Sequence, residues 1–326
     1  MKRLVSKLGL YVFILLGLNF LMAHILGVLE RDVDRRAYAF DKYRWEEFYQ
    51  LPEGDQLDIL FLGSSHAYRG IDPSLIDSLL GIHSFNLGSS GQTPLTSYHI
   101  LKNAVHHVVP KMVVVDLYFH AFMEENQLSN GGNNWLEIKS SSAKWSFLFN
   151  AFDLYEIAAL TILPIIRKKN NVRYLLRRYL LGDDHLDDAG SYQQQGYVRQ
   201  DGRVSLAELE AEKFYSQLQL KKNWALQKHL EGLRKLVHFC REKEIEIRCI
   251  SAPMPSISYQ KISDRQRVQQ FLSTLTKGLG LAYRDDTQNP SLGLQDDLHF
   301  YDDNHLNHTG VQRWNKALIP FLTREQ

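Results

Sequence analysis

The stretch LDILFLGSS at residues 57–65 decides the fold that this sequence predicts. It is a nearly continuous apolar run that stops abruptly at a glycine and two serines. Such a run is typical of a strand buried on both faces of a parallel sheet. Asp72 and Pro73 then supply an N-cap and a proline at the first helical position, which predicts a helix over residues 74–80. The local order is therefore strand, loop and helix.

The same order recurs along the chain. A second strand is predicted at residues 84–87, where it runs into a Gly-Ser-Ser-Gly loop, and a helix follows over residues 96–108. Further strands are predicted over residues 111–118, 244–250 and 281–284. Alternating strands and helices predict an α/β fold with three layers, α/β/α, around a parallel sheet of about five strands. Ligands bind such sheets at the carboxyl ends of the strands, and both Gly-Ser-Ser loops fall there.

Residues 8–29 predict a membrane-spanning helix. They contain no Asp, Glu, Lys or Arg, and about 20 apolar residues are enough to cross the hydrocarbon core of a bilayer. Lys2, Arg3 and Lys7 precede the span, so the positive-inside rule keeps residues 1–7 in the cytoplasm and exports the rest. We predict an uncleaved single-pass anchor in the cell membrane, with the following domain periplasmic or at the cell surface. A cleaved signal peptide and a buried core helix are the alternatives.

Residues 30–56 are charged and aromatic, and they predict a juxtamembrane stalk before a domain over residues 57–322. The domain carries an insertion at about 121–243, far longer than the ~2–6 residues of an ordinary connection in an α/β unit, so it must have structure of its own. Its first half, residues 143–181, predicts helices that either lie against the membrane or cap the core. A group of basic residues runs through the end of this half: Arg167, Lys168, Lys169, Arg173, Arg177 and Arg178.

The second half of the insertion predicts a helix. Ser205 and Glu208 have the spacing of a capping box, which marks a helix N-terminus. The helix is predicted to run to about Glu242 and to return the chain to the strand at residues 244–250.

The composition bears on partners and cofactors. A net charge of +1, with no basic stripe in the first half of the chain, gives no electrostatic case for a nucleic-acid partner. Cys240 and Cys249 lie nine residues apart, without a CxxC spacing or a neighbouring histidine cluster, so they predict packed thiols and not a zinc site. No metal and no other cofactor is predicted.

Ser65, Asp302 and His305 are the candidate catalytic residues. A serine hydroxyl is a weak nucleophile until a base takes its proton and a third group orients that base. Ser65 follows a buried strand, and the other two residues lie in a polar loop before a final helix predicted over residues 311–322. A separation of three residues within one turn lets the carboxylate of Asp302 lie beside the imidazole of His305.

Neighbouring residues compete for these roles. Ser64 is the alternative nucleophile and Asp303 the alternative carboxylate, because spacing alone ranks them second. His66 and His308 are predicted to be solvated side chains that take no part in the chemistry, as histidines beside polar loops commonly are.

Three motifs resemble the blocks of the SGNH/GDSL hydrolase superfamily. They are Phe61-Leu-Gly-Ser-Ser65, Phe85-Asn-Leu-Gly88, and Asp302-x-x-His305 followed by Gly310. The resemblance spans residues 57–322 apart from the insertion. It implies that Ser65 is the nucleophile, His305 the general base and Asp302 its partner. It also implies that the amides of Ser65 and Gly88 donate hydrogen bonds to the oxyanion of a tetrahedral intermediate.

The third block of the superfamily, Gly-x-Asn-Asp, is altered in this sequence. That block supplies an asparagine side chain to the oxyanion hole, whereas the residues after the third predicted strand are Asp116-Leu-Tyr-Phe-His120. The sequence does not choose among the candidates to replace the missing donor, which are Asn86, Gln92, Tyr118 and His120.

The altered block, Gly-Ser-Ser in place of Gly-Asp-Ser, and the single anchor resemble the exported branch of the superfamily. That branch includes proteins of alginate and cellulose acetylation and the D-alanyl transfer protein of teichoic-acid operons. The resemblance implies an acyl-ester or glycan substrate at the cell surface. For a transferase it also implies a membrane-bound O-acyltransferase as the partner that brings the acyl group through the membrane.

Two hypotheses follow from these observations. In the first, the protein is a membrane-anchored, extracytoplasmic serine O-acyltransferase or esterase that carries an acyl group on Ser65 to or from a glycan hydroxyl. The sequence does not separate these two activities, because they differ only in whether water or a sugar hydroxyl attacks the acyl-enzyme. In the second, which the missing asparagine favours, it is a catalytically silent glycan-binding or scaffold protein of a cell-envelope acylation machinery.

Overall fold

The computed structural model describes residues 2–32, 40–54, 56–125, 128, 130–167 and 191–323. In these ranges strands β1 to β7 are Gln56–Leu62, Ser84–Asn86, Val109–Asp116, Ser191–Tyr192, Val198–Arg199, Glu246–Ser251 and Ala282–Asp285. Helices α1 to α16 are Lys2–Asp32, Phe40–Phe48, Ser65–Gly70, Pro73–Leu80, Pro94–Ala104, Asn130–Glu137, Ser141–Ala151, Leu154–Thr161, Pro164–Arg167, Leu206–Ala211, Phe214–Gln217, Gln227–Glu242, Ser256–Lys261, Arg265–Gly278, Asp296–His299 and His308–Leu322. Two short 3₁₀ turns lie at Phe119–Phe122 and Pro290–Leu292.

The main sheet has five parallel strands in the order β2-β1-β3-β6-β7. The two faces of β1 pack against different hydrophobic cores. Leu60 belongs to the core on the first face of the sheet, and Phe61 belongs to the core on the second. Helices α2, α5, α12 and α14 cover the first face, and helices α3, α4 and α16 cover the second. The predicted three-layer α/β/α class with about five parallel strands is confirmed. Because β2 and β3 lie on opposite sides of β1, the carboxyl ends of β1 and β3 flank a topological switch point, where such folds bind ligands.

The single long helix predicted after Ser205 is wrong. The capping box itself is present, since Ser205 Oγ accepts the amide of Glu208 at 3.2 Å and the Glu208 carboxylate accepts the amide of Ser205 at 2.8 Å. The helix nevertheless ends at Ala211, and two further helices follow. The backbone turns to an extended conformation at the C-cap residue Glu212. The ammonium group of Lys261 binds the carbonyl groups at this end, those of Leu209, Glu210 and Glu212.

The segment from Phe40 differs from the predicted stalk. It forms α2, and Trp45 and Phe48 of this helix are fully buried against the sheet. The ring of Phe48 meets that of Phe85 on β2 at 5.3 Å between centroids. The globular domain therefore begins before residue 57, while residues 33–39 of the predicted stalk lie outside the described residues.

The insertion combines helices α6 to α12 with a two-stranded antiparallel hairpin of β4 and β5. Phe147 of α7 stacks on His99 of α5 with centroids 4.6 Å apart, so this part of the insertion caps the domain. The basic residues predicted from Lys168 to Arg178 lie outside the described residues. A membrane contact of the insertion stays a prediction at this point.

Helix α1 contains the apolar stretch Val5–Leu26, the one stretch among the described residues that is long and apolar enough to cross a membrane. Its side chains are mostly exposed, as Phe13 at 74% shows, which contradicts the alternative of a buried core helix. The two cysteines are buried free thiols, as predicted. Burial raises the pKa of Cys240 to about 12.

Candidate active site

Gly63 lets the chain turn sharply from β1 into α3. Its φ of +142° suits glycine alone, and an added Cβ would lie 2.7 Å from Cβ of Asp116. Ser64 then serves as the N-cap, since its hydroxyl accepts the amide of His66 at 3.4 Å. Ser65 begins the helix at the carboxyl end of the sheet, and its Oγ lies 2.7 Å from Nε2 of His305.

One turn fixes both His305 and the carboxylate that orients it. Asp302 Oδ2 lies 2.7 Å from Nδ1 of His305. Asp302 Oδ1 accepts the amides of Asn304 at 2.9 Å and His305 at 2.7 Å. This arrangement holds the proton on Nδ1 and leaves the lone pair of Nε2 facing Ser65 Oγ. The structure thus brings together the three residues singled out from the sequence.

The pKa values of the pair suit a base and its partner. Burial alone would raise the pKa of Asp302, but the hydrogen bond and charge of His305, with the two amides, lower it to about 2. The pKa of His305 is lowered, mainly by burial. The hydrogen bond and the charge of Asp302 act in the opposite direction and raise it, whereas the positive charge of Arg69 also lowers it. Asp302 is therefore ionised and His305 neutral at pH 7, which is the state that can accept a proton from serine.

Neither rival residue contacts His305. The Ser64 hydroxyl is buried and donates to Asp116 Oδ2 at 3.2 Å, and it has no hydrogen bond to His305. Asp303 has no hydrogen bond to the imidazole, and burial together with the charges of Asp302 and Glu212 raises its pKa to about 6. The geometry therefore favours Ser65 over Ser64 and Asp302 over Asp303.

The prediction that His66 is solvated is wrong. The first turn of α3 directs it inward, where its side chain is buried beside Ser64, with Nδ1 3.2 Å from Ser64 Oγ. Its ring centroid lies 5.0 Å from that of His305 and 4.0 Å from that of Tyr118. Burial holds the pKa of His66 well below its usual value, so the ring is neutral. His308 is half-buried and binds the Tyr197 hydroxyl at 3.0 Å, which makes it a structural residue of this loop.

The two predicted oxyanion donors differ in their surroundings. Ser65 holds the first position of α3, where a backbone amide has no acceptor within the helix. The amide of Gly88 already donates to Asn86 Oδ1 at 2.9 Å. An added Cβ at Gly88 would lie 2.8 Å from Cβ of Ala67, so glycine allows this loop to approach α3. The role of both amides as oxyanion donors stays a prediction.

The candidates for the missing third donor all have other partners. Asn86 donates to the carbonyl groups of Ala67 at 2.8 Å and Ile71 at 3.2 Å, which ties the loop after β2 to α3. Gln92 is buried, bonded to Ser89 and Ser97 at 2.8 and 2.9 Å.

The two candidates that follow β3 face the insertion. The hydroxyl of Tyr118 bonds that of Tyr215 at 2.9 Å, and the ring of His120 packs on Phe214 at 5.4 Å. Asp116 lies at the end of β3 itself. Burial raises the pKa of its carboxyl group to about 7, although hydrogen bonds from Ser64 and from the Ala252 amide lower it. No side-chain amide enters the site from this strand in the part of the chain that the structure describes.

Arg69 is a site residue that the sequence argument missed. It lies one helical turn after Ser65 on α3, and its positive charge lowers the pKa values of His66 and His305. It makes no hydrogen bond or ion pair with any described residue and lies over the ring of Tyr68 at 5.5 Å. The spacing of four residues from Ser65 is the signal that could have found it.

A second group of missed residues supports the loop after β2. The buried guanidinium group of Arg44 donates to the carbonyl group of Gly88 and to Asn134 Oδ1, the latter at 2.8 Å. Asn134 in turn donates to Ser89 Oγ at 2.8 Å. Helix α2 and the insertion therefore both help to hold this loop, which no local sequence signal indicates.

A small, mostly apolar cavity borders the site. It lies between the carboxyl ends of β3, β6 and β7 and the helices α13 and α14. His66, Asp116 and Tyr118 form its wall toward the site, and most of the remaining wall is apolar, with Met254 and Leu272 as examples.

No family model and no curated protein sequence matches the chain. Among solved structures it is similar to a proposed acylhydrolase from Bacteroides fragilis, with a TM-score of 0.40 and 10% identity over 86% of this chain and 94% of that one. A GDSL-like lipase from Bacteroides thetaiotaomicron also gives a TM-score of 0.40 and 10% identity, over 86% and 96%. A protein from Streptococcus pneumonia, described as a proposed platelet activating factor, gives 0.41 and 12% over 92% and 99%. Similarity at this level does not assign an activity to the chain.

Proposed function

We propose that this protein is a membrane-anchored, extracytoplasmic serine enzyme of the SGNH type, an acyltransferase or esterase acting on O-acyl groups of cell-surface or secreted glycans. The observation that carries the chemistry is the pair of hydrogen bonds joining Ser65 to His305 and His305 to Asp302, each 2.7 Å long. These three side chains occupy the roles of nucleophile, base and orienting carboxylate.

The geometry gives a two-step acyl transfer. His305 Nε2 takes the proton of Ser65 Oγ as the oxygen attacks the ester carbonyl, and the negative charge develops on the carbonyl oxygen. The Ser65 amide can donate to that oxygen, while Asp302 stabilises the imidazolium. The imidazolium then gives its proton to the departing alcohol oxygen, which leaves an acyl group on Ser65. Water or a glycan hydroxyl attacks this ester next, with His305 again taking the proton, and Ser65 is restored.

The position of the site favours substrates close to a membrane. Phe40, the first residue of α2, packs its ring on that of Tyr68 in the nucleophile-bearing helix α3, with centroids 4.6 Å apart. Since α2 follows closely after α1 in the chain, this contact supports a site near the surface where the anchor leaves the bilayer. A membrane-bound O-acyltransferase that delivers an acyl group through the bilayer is the partner that a transferase would need.

A second candidate function is a catalytically silent scaffold or glycan-binding protein. The specific observation in its favour is the oxyanion hole. The amide of Gly88 is bonded to Asn86. The residues at the end of β3 and just after it, Asp116-Leu-Tyr-Phe-His120, lack the asparagine of the superfamily's third block.

Labelling with a fluorophosphonate tests the enzyme against the scaffold. The full chain is purified in detergent and treated beside its Ser65→Ala and Ser64→Ala variants. We expect labelling of the wild type and of Ser64→Ala, and none of Ser65→Ala. A wild type that takes no label would favour the scaffold, and loss of label in Ser64→Ala alone would move the nucleophile.

Two further measurements address location and reaction type. An alkaline phosphatase fused after Arg36 is expected to be active, because that enzyme folds only outside the cytoplasm; an inactive fusion with a well-expressed chain contradicts the exported topology. Acyl transfer is followed by mass spectrometry of an oligosaccharide acceptor incubated with an acyl ester. Mass added to the acceptor identifies a transferase, and free acid with unmodified acceptor identifies an esterase.

A further inference from the structure

Asn19 is a polar residue within the apolar stretch of α1, and it faces the insertion. Its Nδ2 donates to the carbonyl group of Ile162 at 3.0 Å, and its Oδ1 accepts the amide of Ile165 at 3.3 Å. Asn19 and Ala23 are buried, one turn apart on the same face of the helix. Much of the rest of the helix surface is exposed. Helix α1 therefore docks on the insertion through one narrow stripe.

The two partners of Asn19 are the groups that a helix break leaves unpaired. Helix α8 ends at Thr161, with Ile162 as its C-cap, and α9 begins at Pro164. The last carbonyl groups of one helix and the first amides of the next have no partner within their helices. In a bilayer core no water is available to satisfy them, so a break is tolerated only where protein groups do so. The side-chain amide of Asn19 supplies one donor and one acceptor at this point.

The depth of the break follows from the length of α1. At 1.5 Å per residue the stretch Val5–Leu26 is about 33 Å long, which matches the ~30 Å hydrocarbon core. Asn19 lies seven residues before Leu26, which is about 10 Å inside the end that leads to the domain. Ile162 lies at the same depth because it bonds to Asn19. Helices that lie in the membrane interface bury their apolar faces about 5–10 Å deep, so the depth of Ile162 is within the range of an interfacial helix.

The exposed surface of α7 and α8 has the chemistry of a lipid contact. Leu154 is 86% exposed, Phe149 66%, Trp145 56%, Tyr155 54% and Ile162 52%. Trp145 and Phe149 stack with centroids 5.7 Å apart. Soluble proteins rarely leave so many large apolar side chains together in water, and Trp and Tyr are enriched where proteins meet the membrane interface.

We propose that helices α7 to α9 form a second membrane segment, embedded in the outer leaflet beside the anchor and fixed there by Asn19. The occupant of the exposed apolar surface is lipid, because Ile162 of this surface is bonded directly to the apolar stretch of α1 through Asn19. The inference rests on the proposed anchoring. Its consequence is that the domain meets the bilayer at two places, through α1 and through the insertion, so its orientation is fixed and the site faces substrates at the membrane surface.

Spin labels on the full chain test this inference. Cysteines are introduced singly at Leu154→Cys and Ile162→Cys, with Leu79→Cys, 47% exposed on α4, as the water-facing control. Phe13→Cys on the exposed face of α1 reports whether the anchor itself is in lipid. The native Cys240 and Cys249 are buried, and unsubstituted protein measures their background labelling. Each protein is reconstituted into vesicles of phosphatidylethanolamine and phosphatidylglycerol, and collisions with oxygen and with a water-soluble nickel complex are compared.

We expect the labels at positions 154, 162 and 13 to collide more with oxygen, and the label at position 79 to collide more with nickel. If position 13 is in lipid while 154 and 162 meet the nickel complex, the inference fails and the anchoring stands. If positions 154 and 162 are shielded from both reagents, protein and not lipid covers the surface, and the inference also fails. If position 13 meets nickel, the proposed anchoring fails together with the inference.

Discussion

Asp302 holds His305 twice: Oδ2 lies 2.7 Å from the ring nitrogen Nδ1, and Oδ1 accepts the backbone amide of the same histidine at 2.7 Å. One carboxylate therefore fixes both the ring and the backbone of His305. Because both residues belong to one turn, their geometry depends little on distant parts of the chain. The only long-range step in building the triad is the approach of this turn to Ser65, which lies 240 residues away in sequence.

Replacing Asp302 by asparagine should strongly reduce turnover. The amide side chain of Asp302→Asn would keep the shape of the carboxylate, but it can hold the wrong tautomer of His305 and cannot stabilise the imidazolium. We expect kcat for a chromogenic ester to fall roughly 10³- to 10⁴-fold, as in other serine triads. Asp303→Asn is the matched control, and its kcat should stay within about threefold of wild type because Asp303 does not contact the imidazole. A larger loss in Asp303→Asn than in Asp302→Asn would reverse the assignment.

The pH profile should report the environment of His305. Only the neutral imidazole accepts a proton, so kcat/KM falls as the pH drops through the pKa of His305, which burial places below 6.5. The Arg69 charge contributes to this lowering. Arg69→Met should therefore raise the pKa of His305 and move the acid limb of the profile to higher pH. Arg69→Lys keeps the charge and should leave the limb near its wild-type position, so an equal shift in both variants would contradict this cause.

The local parts of the site were predictable because their causes are local. A few neighbouring residues determine each of these parts: the helix cap at Asp72, the ends of the strands, and the spacing of Asp302 and His305. The contact of Arg44 with Asn134 spans 90 residues, and no pattern near either position indicates it. The carbonyl groups at the end of α10 are likewise bound by Lys261, about fifty residues further along. The inward turn of His66 follows from the start of α3 at Ser65, which hydropathy alone does not indicate.

Gly63 should tolerate no side chain. Gly63→Ala adds the strain of a φ of +142° to a contact of 2.7 Å with Cβ of Asp116. Backbone strain and overpacking each cost about 1–3 kcal/mol, so we expect the free energy of unfolding to fall by about 2–6 kcal/mol. Gly54→Ala is the control, since its φ is +80° but its added Cβ meets nothing within 4 Å. Thermal unfolding followed by circular dichroism measures both, and equal losses would show that the close contact contributes nothing.

Asn19 should determine how firmly the insertion is held to α1. Asn19→Leu removes the bonds to Ile162 and Ile165 and leaves both backbone groups without a partner beside the apolar helix. Interhelical hydrogen bonds in membranes contribute about 0.6–2 kcal/mol, so the α8–α9 turn should detach several-fold more often than in the wild type. A spin label at position 162 should become more mobile in this variant. Leu18→Ala, at an exposed position of the same helix, should leave the mobility of the label unchanged. Hydrolysis of a small water-soluble ester should be retained in Asn19→Leu, because Asn19 bonds to no residue of the triad. Equal label mobility in Asn19→Leu and wild type would mean that other contacts hold the insertion to α1.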